Sequence, residues 1–136
     1  MKKTPHISFV IPAKNEEKSM LPLYNQILIE VKKLRKSYEI IFIDDGSTDS
    51  TFDNVKKLSK INKNVKVIRH RGNFGKSTAL QNGFDMCLGE IIITMDADLQ
   101  DDPKEIPNFI KKIEDGYDLV SGWKKKRNDP LSKVIP

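Results

Sequence analysis

The sequence predicts an α/β fold: a mainly parallel sheet with helices on both faces. Short apolar runs rich in β-branched residues alternate with stretches whose apolar residues recur at helical spacing, and strands joined through helices of this length lie parallel in a sheet covered on both sides. Each run is also followed at once by a polar cluster: Lys14-Asn15-Glu16, Asp44-Asp45, Arg71 to Lys76, and Asp96 to Asp102. In open sheets of this kind ligands bind beyond the carboxyl ends of the strands, so four loops are expected on one edge.

In chain order, Ile7 to Ile11 is a strand candidate stopped by Pro12, and Glu16 to Lys36 spaces Leu21, Tyr24, Ile27, Leu28, Val31 and Leu34 along one helical face. Glu39 to Ile43 is a second strand, broken by Asp44-Asp45-Gly46-Ser47, after which Phe52, Val55, Leu58 and Ser59 give a weaker helical pattern. Val65 to Ile68 reads as a third strand, Lys76 to Leu88 as a third helix and Glu90 to Met95 as a fourth strand. Pro103 suits the first turn of a helix carrying Ile106, Phe109, Ile110 and Ile113 and ended by Gly116, and Asp118 to Ser121 reads as a fifth strand. His6 and His70 are expected to be structural or exposed, and Met20, Met86 and Met95 to pack.

The 136 residues, 38% hydrophobic and 32% charged, suit one globular unit. No apolar run approaches the roughly 18 residues of a membrane span, no leader-like segment follows Met1, and the lone Cys87 has no internal disulfide partner. A reducing cytoplasm is the expected compartment. The net charge of +5 is segregated: residues 53 to 84 hold eight Lys or Arg against one acid, Asp53, and residues 85 to 118 hold ten acids against three lysines. Such a surplus fits nucleic acid, an anionic membrane or a phosphorylated substrate equally well, and most of the lysines suit solvated helix faces.

Thr94-Met95-Asp96-Ala97-Asp98-Leu99-Gln100-Asp101-Asp102-Pro103 puts four aspartates behind an Ile-Ile-Ile strand. A turn there can bring Asp96 and Asp98 to one side, and oxygen ligands of that kind suit Mg²⁺ or Mn²⁺ shared with phosphate oxygens. Without a cation two adjacent acids repel. The competing reading has one aspartate capping the next helix, Asp102 before Pro103 being well placed, with the rest solvated. A calcium EF-hand fails on spacing, since its sixth and twelfth positions counted from Asp96 hold Asp101 and Pro107. An aspartyl-phosphate chemistry stays open, without a lysine-and-serine pattern to complete it. Gly75-Lys76-Ser77 resembles the end of a Walker A loop, but the required first glycine falls on His70, and no G-x-G-x-x-G occurs. Asp44 and Asp45 could accept from a nucleobase N–H, whereas Ser47 to Asp49 read as a turn, with Thr48 or Asp49 capping the helix.

Taken in order, IPAKNEE, IIFIDDGSTDST, RGNFGKSTALQNG, IIITMDADLQDDP and GYDLVSGWKKKR resemble the family 2 glycosyltransferases of GT-A, Rossmann-like fold, and among them the polyprenyl-phosphate sugar transferases. The resemblance implies that residues 1–136 form the nucleotide-sugar (donor) binding part of such a domain, ahead of an acceptor-binding half. It implies a metal site at Asp96, Asp98 and Gln100 for Mg²⁺ or Mn²⁺, with Asp96 and Asp98 as the catalytic pair. It implies donor contacts from Pro12, Ala13, Lys14, Glu16, Asp44, Asp45, Arg71, Lys76, Asp96, Ala97 and Lys124, with Asp45 on the base. Two departures stand out: Lys14 replaces an aromatic common in the family, and Gly122-Trp123-Lys124 replaces G-x-R, giving a point charge instead of a bidentate fork. The expected reaction is metal-dependent, inverting transfer of a hexose from a UDP- or GDP-linked donor to a lipid phosphate, which is already ionised and needs no strong base. The alternatives are donor binding without turnover, or transfer to a sugar hydroxyl in polysaccharide synthesis. Lys124 to Arg127 reads equally as a solvated tail or as a basic patch making peripheral membrane contact, meeting anionic lipid headgroups or the acceptor phosphate at the inner membrane face, and no nucleic acid is expected because no aromatic platform accompanies the charge.

Overall fold

The computed structural model describes residues 4–116 in full and, beyond them, the backbone of 119–121 and 133–135. Four strands form one parallel sheet: β1 (Ile7–Ala13), β2 (Tyr38–Asp44), β3 (Val65–Arg69) and β4 (Ile91–Thr94), in the order β3-β2-β1-β4. The connections are α1 (Met20–Leu34), α2 (Thr51–Ile61) and α3 (Lys76–Met86). After β4 come a 3₁₀ turn at Pro103–Glu105, then α4 (Ile106–Glu114). The last strands, β5 (Leu119–Ser121) and β6 (Lys133–Ile135), pair antiparallel with each other, so the expected fifth strand joins β6 and not the main sheet.

Alternation along the strands divides the core. Ile7, Phe9 and Ile11 of β1 with Ile40 and Phe42 of β2 face one side and are fully buried beneath α1, α2 and α4. Val10, Ile41 and Ile43 face the other side, beneath Ala79 of α3. Helices therefore cover both faces, and central strands buried on both sides are apolar at nearly every position.

Pro12 does not stop the first strand. The carbonyl of Val10 accepts from the Met95 amide and that of Ala13 from the Asp45 amide, so successive residues of β1 turn alternately to β4 and β2. Pro12 faces the β4 side, past the last β4 residue, where no partner needs an N–H. The first helix is shorter than the periodicity implied, because Asn15 takes a left-handed φ of 53° and Glu16 to Ser19 form the approach. Met20 and Leu23 fill the buried stripe, and Leu21 is 53% exposed. Met86 is exposed, not packed, whereas Met20 and Met95 are buried.

The order β3-β2-β1-β4 reverses direction after β1: the chain steps outward through β2 and β3, then crosses back to lay β4 on the opposite side of β1. That reversal splays the loops after β1 and β4 and opens a crevice between them. On the sheet face opposite α1, α3 presses against the strands at Gly83, where a Cβ would lie 2.5 Å from Val10 Cγ1 and 2.9 Å from Ile43 Cδ1. Gly83→Ala gains roughly 1 kcal/mol of helix propensity and loses about 1–3 kcal/mol to overpacking. The expected result is a lower Tm with unchanged far-ultraviolet circular dichroism; a raised Tm would show that the helix–sheet contact yields freely.

Candidate donor-binding site

A cavity of about 360 Å³ opens at the carboxyl edge of the sheet, lined by Pro12, Ala13, Lys14, Glu16, Asp45, Asn73, Lys76, Asp96, Ala97 and Asp98. Its walls come from the ends of β1, β2 and β4 and from the loop leading into α3, and its size suits a small-molecule ligand.

Asp45 organises one wall. Its carboxylate, 5% exposed as a residue, accepts from His70 Nδ1 at 2.9 Å, the Phe74 amide at 2.8 Å and the Gly75 amide at 3.0 Å. His70 Nε2 lies 2.8 Å from Asn82 Nδ2. An amide nitrogen can only donate there, which makes Nδ1 the protonated atom that donates to Asp45. Burial pushes the Asp45 carboxyl up, but the histidine and the two amides together outweigh it and hold it below its usual range. Gly46, at φ 78°, completes the junction: a Cβ there would lie 2.5 Å from the Gly72 carbonyl carbon, so only glycine lets the two backbones meet.

The second wall is a pair of interlaced loops. Asn15 N donates to Ser47 Oγ, Glu16 N to Thr51 Oγ1, Thr48 N to Asn15 Oδ1 and Ser50 N to Glu17 Oε2, at 2.8–3.0 Å. Asp49 accepts from Thr51 N at 2.9 Å and from Glu17 N at 3.3 Å. Neither of the two expected caps is the N-cap of α2, which is Ser50: Asp49 accepts from the Thr51 amide from one residue earlier, and Thr48 is tied to Asn15. The polar run after β2 thus fixes the loop after β1, placing Lys14 and Glu16 at the cavity.

On the far side the four aspartates divide their tasks. Asp101 Oδ2 accepts from the Asp96 amide at 2.7 Å, and Asp98 Oδ1 from the Gln100 amide at 3.1 Å. Asp102 Oδ1 accepts from the Lys104 amide at 3.0 Å, capping the 3₁₀ turn. Leu99 is driven to φ 65° at the tip, a conformation costly for a side chain with a Cβ. Asp96 faces inward, its Oδ1 2.5 Å from Lys76 Nζ. Burial pushes the Glu16 carboxyl above its usual range and the neighbouring charge of Asp98 adds to it, partly offset by the Ser19 hydroxyl.

Of the expected site residues, the structure gathers Pro12, Ala13, Lys14, Glu16, Asp45, Lys76, Asp96, Ala97 and Asp98 at the cavity. Asp44, Arg71 and Gln100 stand outside its lining. Asp44 is buried on the α2 side, where alternation along β2 turns it, accepting from the Ser47 amide at 3.1 Å with Arg69 Nε 4.0 Å away. Lys124 to Arg127, with the Gly122-Trp123-Lys124 stretch, lie outside the described residues. Asn73 was not singled out in the sequence, though an Asn between two glycines after a strand is a turn signal; it lines the cavity and accepts from the Gly75 amide at 3.2 Å.

The donors suit a hard divalent cation. No cluster of three or more His, Cys, Asp or Glu with metal-holding geometry occurs among the described residues, but two carboxylates suffice for an ion that completes its shell with phosphate oxygens and water. Asp96 and Asp98 present that pair to the cavity. Gln100 Oε1 is buried without a hydrogen-bond partner among the described residues, an oxygen with spare acceptor capacity next to the turn.

The Asp45 linkage has a testable sign. A carboxyl held below its unfolded value of about 3.9 adds stability above that value and loses it as pH falls through the folded one. Asp45→Asn should therefore cost about 1.5–3 kcal/mol at neutral pH, with the gap to wild type in urea denaturation narrowing below about pH 4. A gap constant with pH would show that the charge is not what holds the loop.

Comparison with known proteins identifies the family and the fold. Residues 8–134 match the family model for Glycosyl transferase family 2. The dodecaprenyl-phosphate galacturonate synthase of Rhizobium johnstonii is 39% identical over 127 residues, covering 92% of this chain and 38% of that protein. The undecaprenyl-phosphate 4-deoxy-4-formamido-L-arabinose transferase of Proteus mirabilis is 38% identical over 125 residues, covering 90% and 38%. The chain thus spans under two-fifths of the length of these curated relatives. Among solved structures, Staphylococcus aureus TarS 1-349 in complex with UDP-GlcNAc superposes with a TM-score of 0.69 at 24% identity, over 93% of this chain and 37% of that one. The mannosyltransferase PcManGT of Pyrobaculum calidifontis, in complex with GDP-Man and Mn²⁺, gives 0.61 at 23%, over 80% and 32%. These likenesses establish the GT-A, Rossmann-like fold, and the match along nearly its whole length makes this chain a member of glycosyl transferase family 2.

Proposed function

We propose that this chain is the donor-binding part of a metal-dependent, inverting glycosyltransferase that moves a hexose from a nucleoside diphosphate sugar to a polyprenyl phosphate. The observation that carries the reading is the cavity itself, lined together by Asp96, Asp98, Lys76 and Lys14, with Asp96 paired directly to Lys76. Its support outside this chain is the pair of relatives whose names specify polyprenyl-phosphate acceptors.

Breaking the bond between an anomeric carbon and a diphosphate leaves negative charge on the departing phosphate. A divalent cation, Mg²⁺ or Mn²⁺, held by Asp96 and Asp98 with Gln100 beside them, would supply the positive charge that stabilises this leaving group. Lys76, at the head of α3, adds a second positive charge on the same side, and Lys14 a third from the loop after β1. Asp45 has three donors already; a carboxylate offers about four acceptor positions, which leaves about one for a base N–H of either a uridine or a guanosine donor. A lipid phosphate acceptor is ionised at neutral pH, so attack needs no side chain to remove a proton. Glu16, with its raised carboxyl, is the group at the cavity best suited to act as a base if the acceptor were a sugar hydroxyl.

No helix among the described residues is long and apolar enough to cross a membrane. On this reading a polyprenyl phosphate acceptor brings the chain to the inner membrane face, with Lys124 to Arg127 as a basic segment suited to anionic headgroups.

Thermal shift with UDP and GDP, each with and without Mn²⁺, tests the donor reading directly, since a ligand that binds the folded state alone raises stability with concentration. One nucleotide should raise Tm by several degrees only when Mn²⁺ is present, and Asp98→Ala should remove that dependence. Stabilisation unaltered in both Asp96→Ala and Asp98→Ala would refute it. Turnover is read separately, as release of free UDP or GDP from the donor sugar with a short-chain polyprenyl phosphate as acceptor.

A further inference from the structure

We propose that Lys76 is a built-in counter-ion for the carboxylate turn, and that its displacement makes cation binding by Asp96 and Asp98 conditional on the nucleotide. The inference rests on the donor-binding reading above and adds an order to it.

The geometry has three parts. Lys76 Nζ lies 2.5 Å from Asp96 Oδ1, inside the cavity and on the carboxylate expected to meet a cation. The root of the lysine is fixed, because the preceding Gly75 amide is held by Asp45 at 3.0 Å, while its side chain is 60% exposed, with solvent to move into on leaving the pair. Asp96 is held from the opposite side, its amide donating to Asp101. One partner thus stands on the solvent side of the pair and the other on a fixed backbone, which is what an exchangeable counter-ion requires.

Charge gives the reason for exchange. The cavity is lined by four carboxylates, Glu16, Asp45, Asp96 and Asp98, against two ammonium groups, Lys14 and Lys76. A diphosphate entering alone meets this acidic surplus. A divalent cation entering alone finds Asp96 already neutralised and must break the ion pair to bind both carboxylates. When the two arrive together the phosphate oxygens take up the lysine and the cation takes Asp96, so each removes the other's obstacle. This is positive coupling between two ligands, reciprocal by thermodynamic necessity. Lysine suits the task, being a point charge on a flexible four-carbon stem, whereas the planar fork of arginine would grip the carboxylate in two places.

The competing view is that a half-exposed ion pair contributes almost nothing, and it makes a different prediction. Mn²⁺ is titrated into wild type and Lys76→Gln, with free Mn²⁺ followed by electron paramagnetic resonance, in the absence of nucleotide and with saturating UDP or GDP; Asp98→Ala serves as the control for the site, and thermal melts check that each variant is folded. The expected result is weak binding of Mn²⁺ alone to wild type, strengthened by one nucleotide. In Lys76→Gln, Mn²⁺ alone binds about fivefold or more tightly than to wild type, and the enhancement by nucleotide shrinks by a similar factor. Lys76→Arg should weaken binding of Mn²⁺ alone. If wild type shows the nucleotide enhancement and Lys76→Gln binds Mn²⁺ alone no more tightly, the counter-ion role is wrong and the donor site stands. If neither nucleotide strengthens Mn²⁺ binding in wild type, the donor reading falls and takes the counter-ion with it.

Discussion

The buried carboxylate of Asp45 is the constraint on which the rest of the cavity depends. It stands at the end of β2 and gathers His70, the Phe74 amide and the Gly75 amide, turning the chain after β3 back over the sheet edge. Without that pull the Phe74 amide would lose its carboxylate partner, the Gly75 amide would keep only Asn73, and the loop would be less firmly held against Gly46. Because Gly75 immediately precedes α3, the same contacts decide where Lys76 stands. A residue expected to recognise a base is therefore also the bracket that places Lys76, the lysine proposed for the phosphates, and the two roles compete for one set of lone pairs.

Polar side chains elsewhere on this edge are spent in a similar way. Ser47, Thr48, Asp49 and Thr51 do not face the cavity; they tie the loop after β1 to the loop after β2. Asp101 and Asp98 shape the turn after β4 so that Asp96 can point inward. The acid-rich stretches that look like ligand sets are thus mostly scaffolding, with a few carboxylates left over for a ligand. The large apolar burial of β1 and β2 makes this workable, because it supplies a rigid edge on which polar loops are fixed without cost to the core.

Much of this was legible from the chain. Runs such as Ile40 to Ile43 and Ile91 to Ile93 announce strands buried on both faces, and the clusters behind them announce the site edge. What the sequence left hidden depends on register and on distant contacts. Asp44 and Asp45 are neighbours with the same chemistry, yet strand alternation buries one beneath α2 and turns the other to the cavity. Pro12 looks like a stop until it is known that the strand beside it has already ended. Leu21 sits at the edge of the helical stripe, where Met20 and Leu23 take the buried positions and leave it exposed. His70 and Asn82 belong to the site's support through contacts that no local pattern encodes. The family resemblance pointed to Asp96, Asp98 and Lys76 as site residues but could not show that Asp96 and Lys76 are already paired.

The central claim is that Asp96 and Asp98 together hold a divalent cation against the diphosphate of a sugar donor. The most direct measurement is a crystal structure with Mn²⁺ and the stabilising nucleotide, the ion located by its anomalous scattering. The account predicts one strong peak bonded to oxygens of Asp96, Asp98 and both phosphates, with Lys76 withdrawn from Asp96 onto a phosphate oxygen. A peak outside the turn, or a bound nucleotide whose phosphates lie away from these carboxylates, would contradict it.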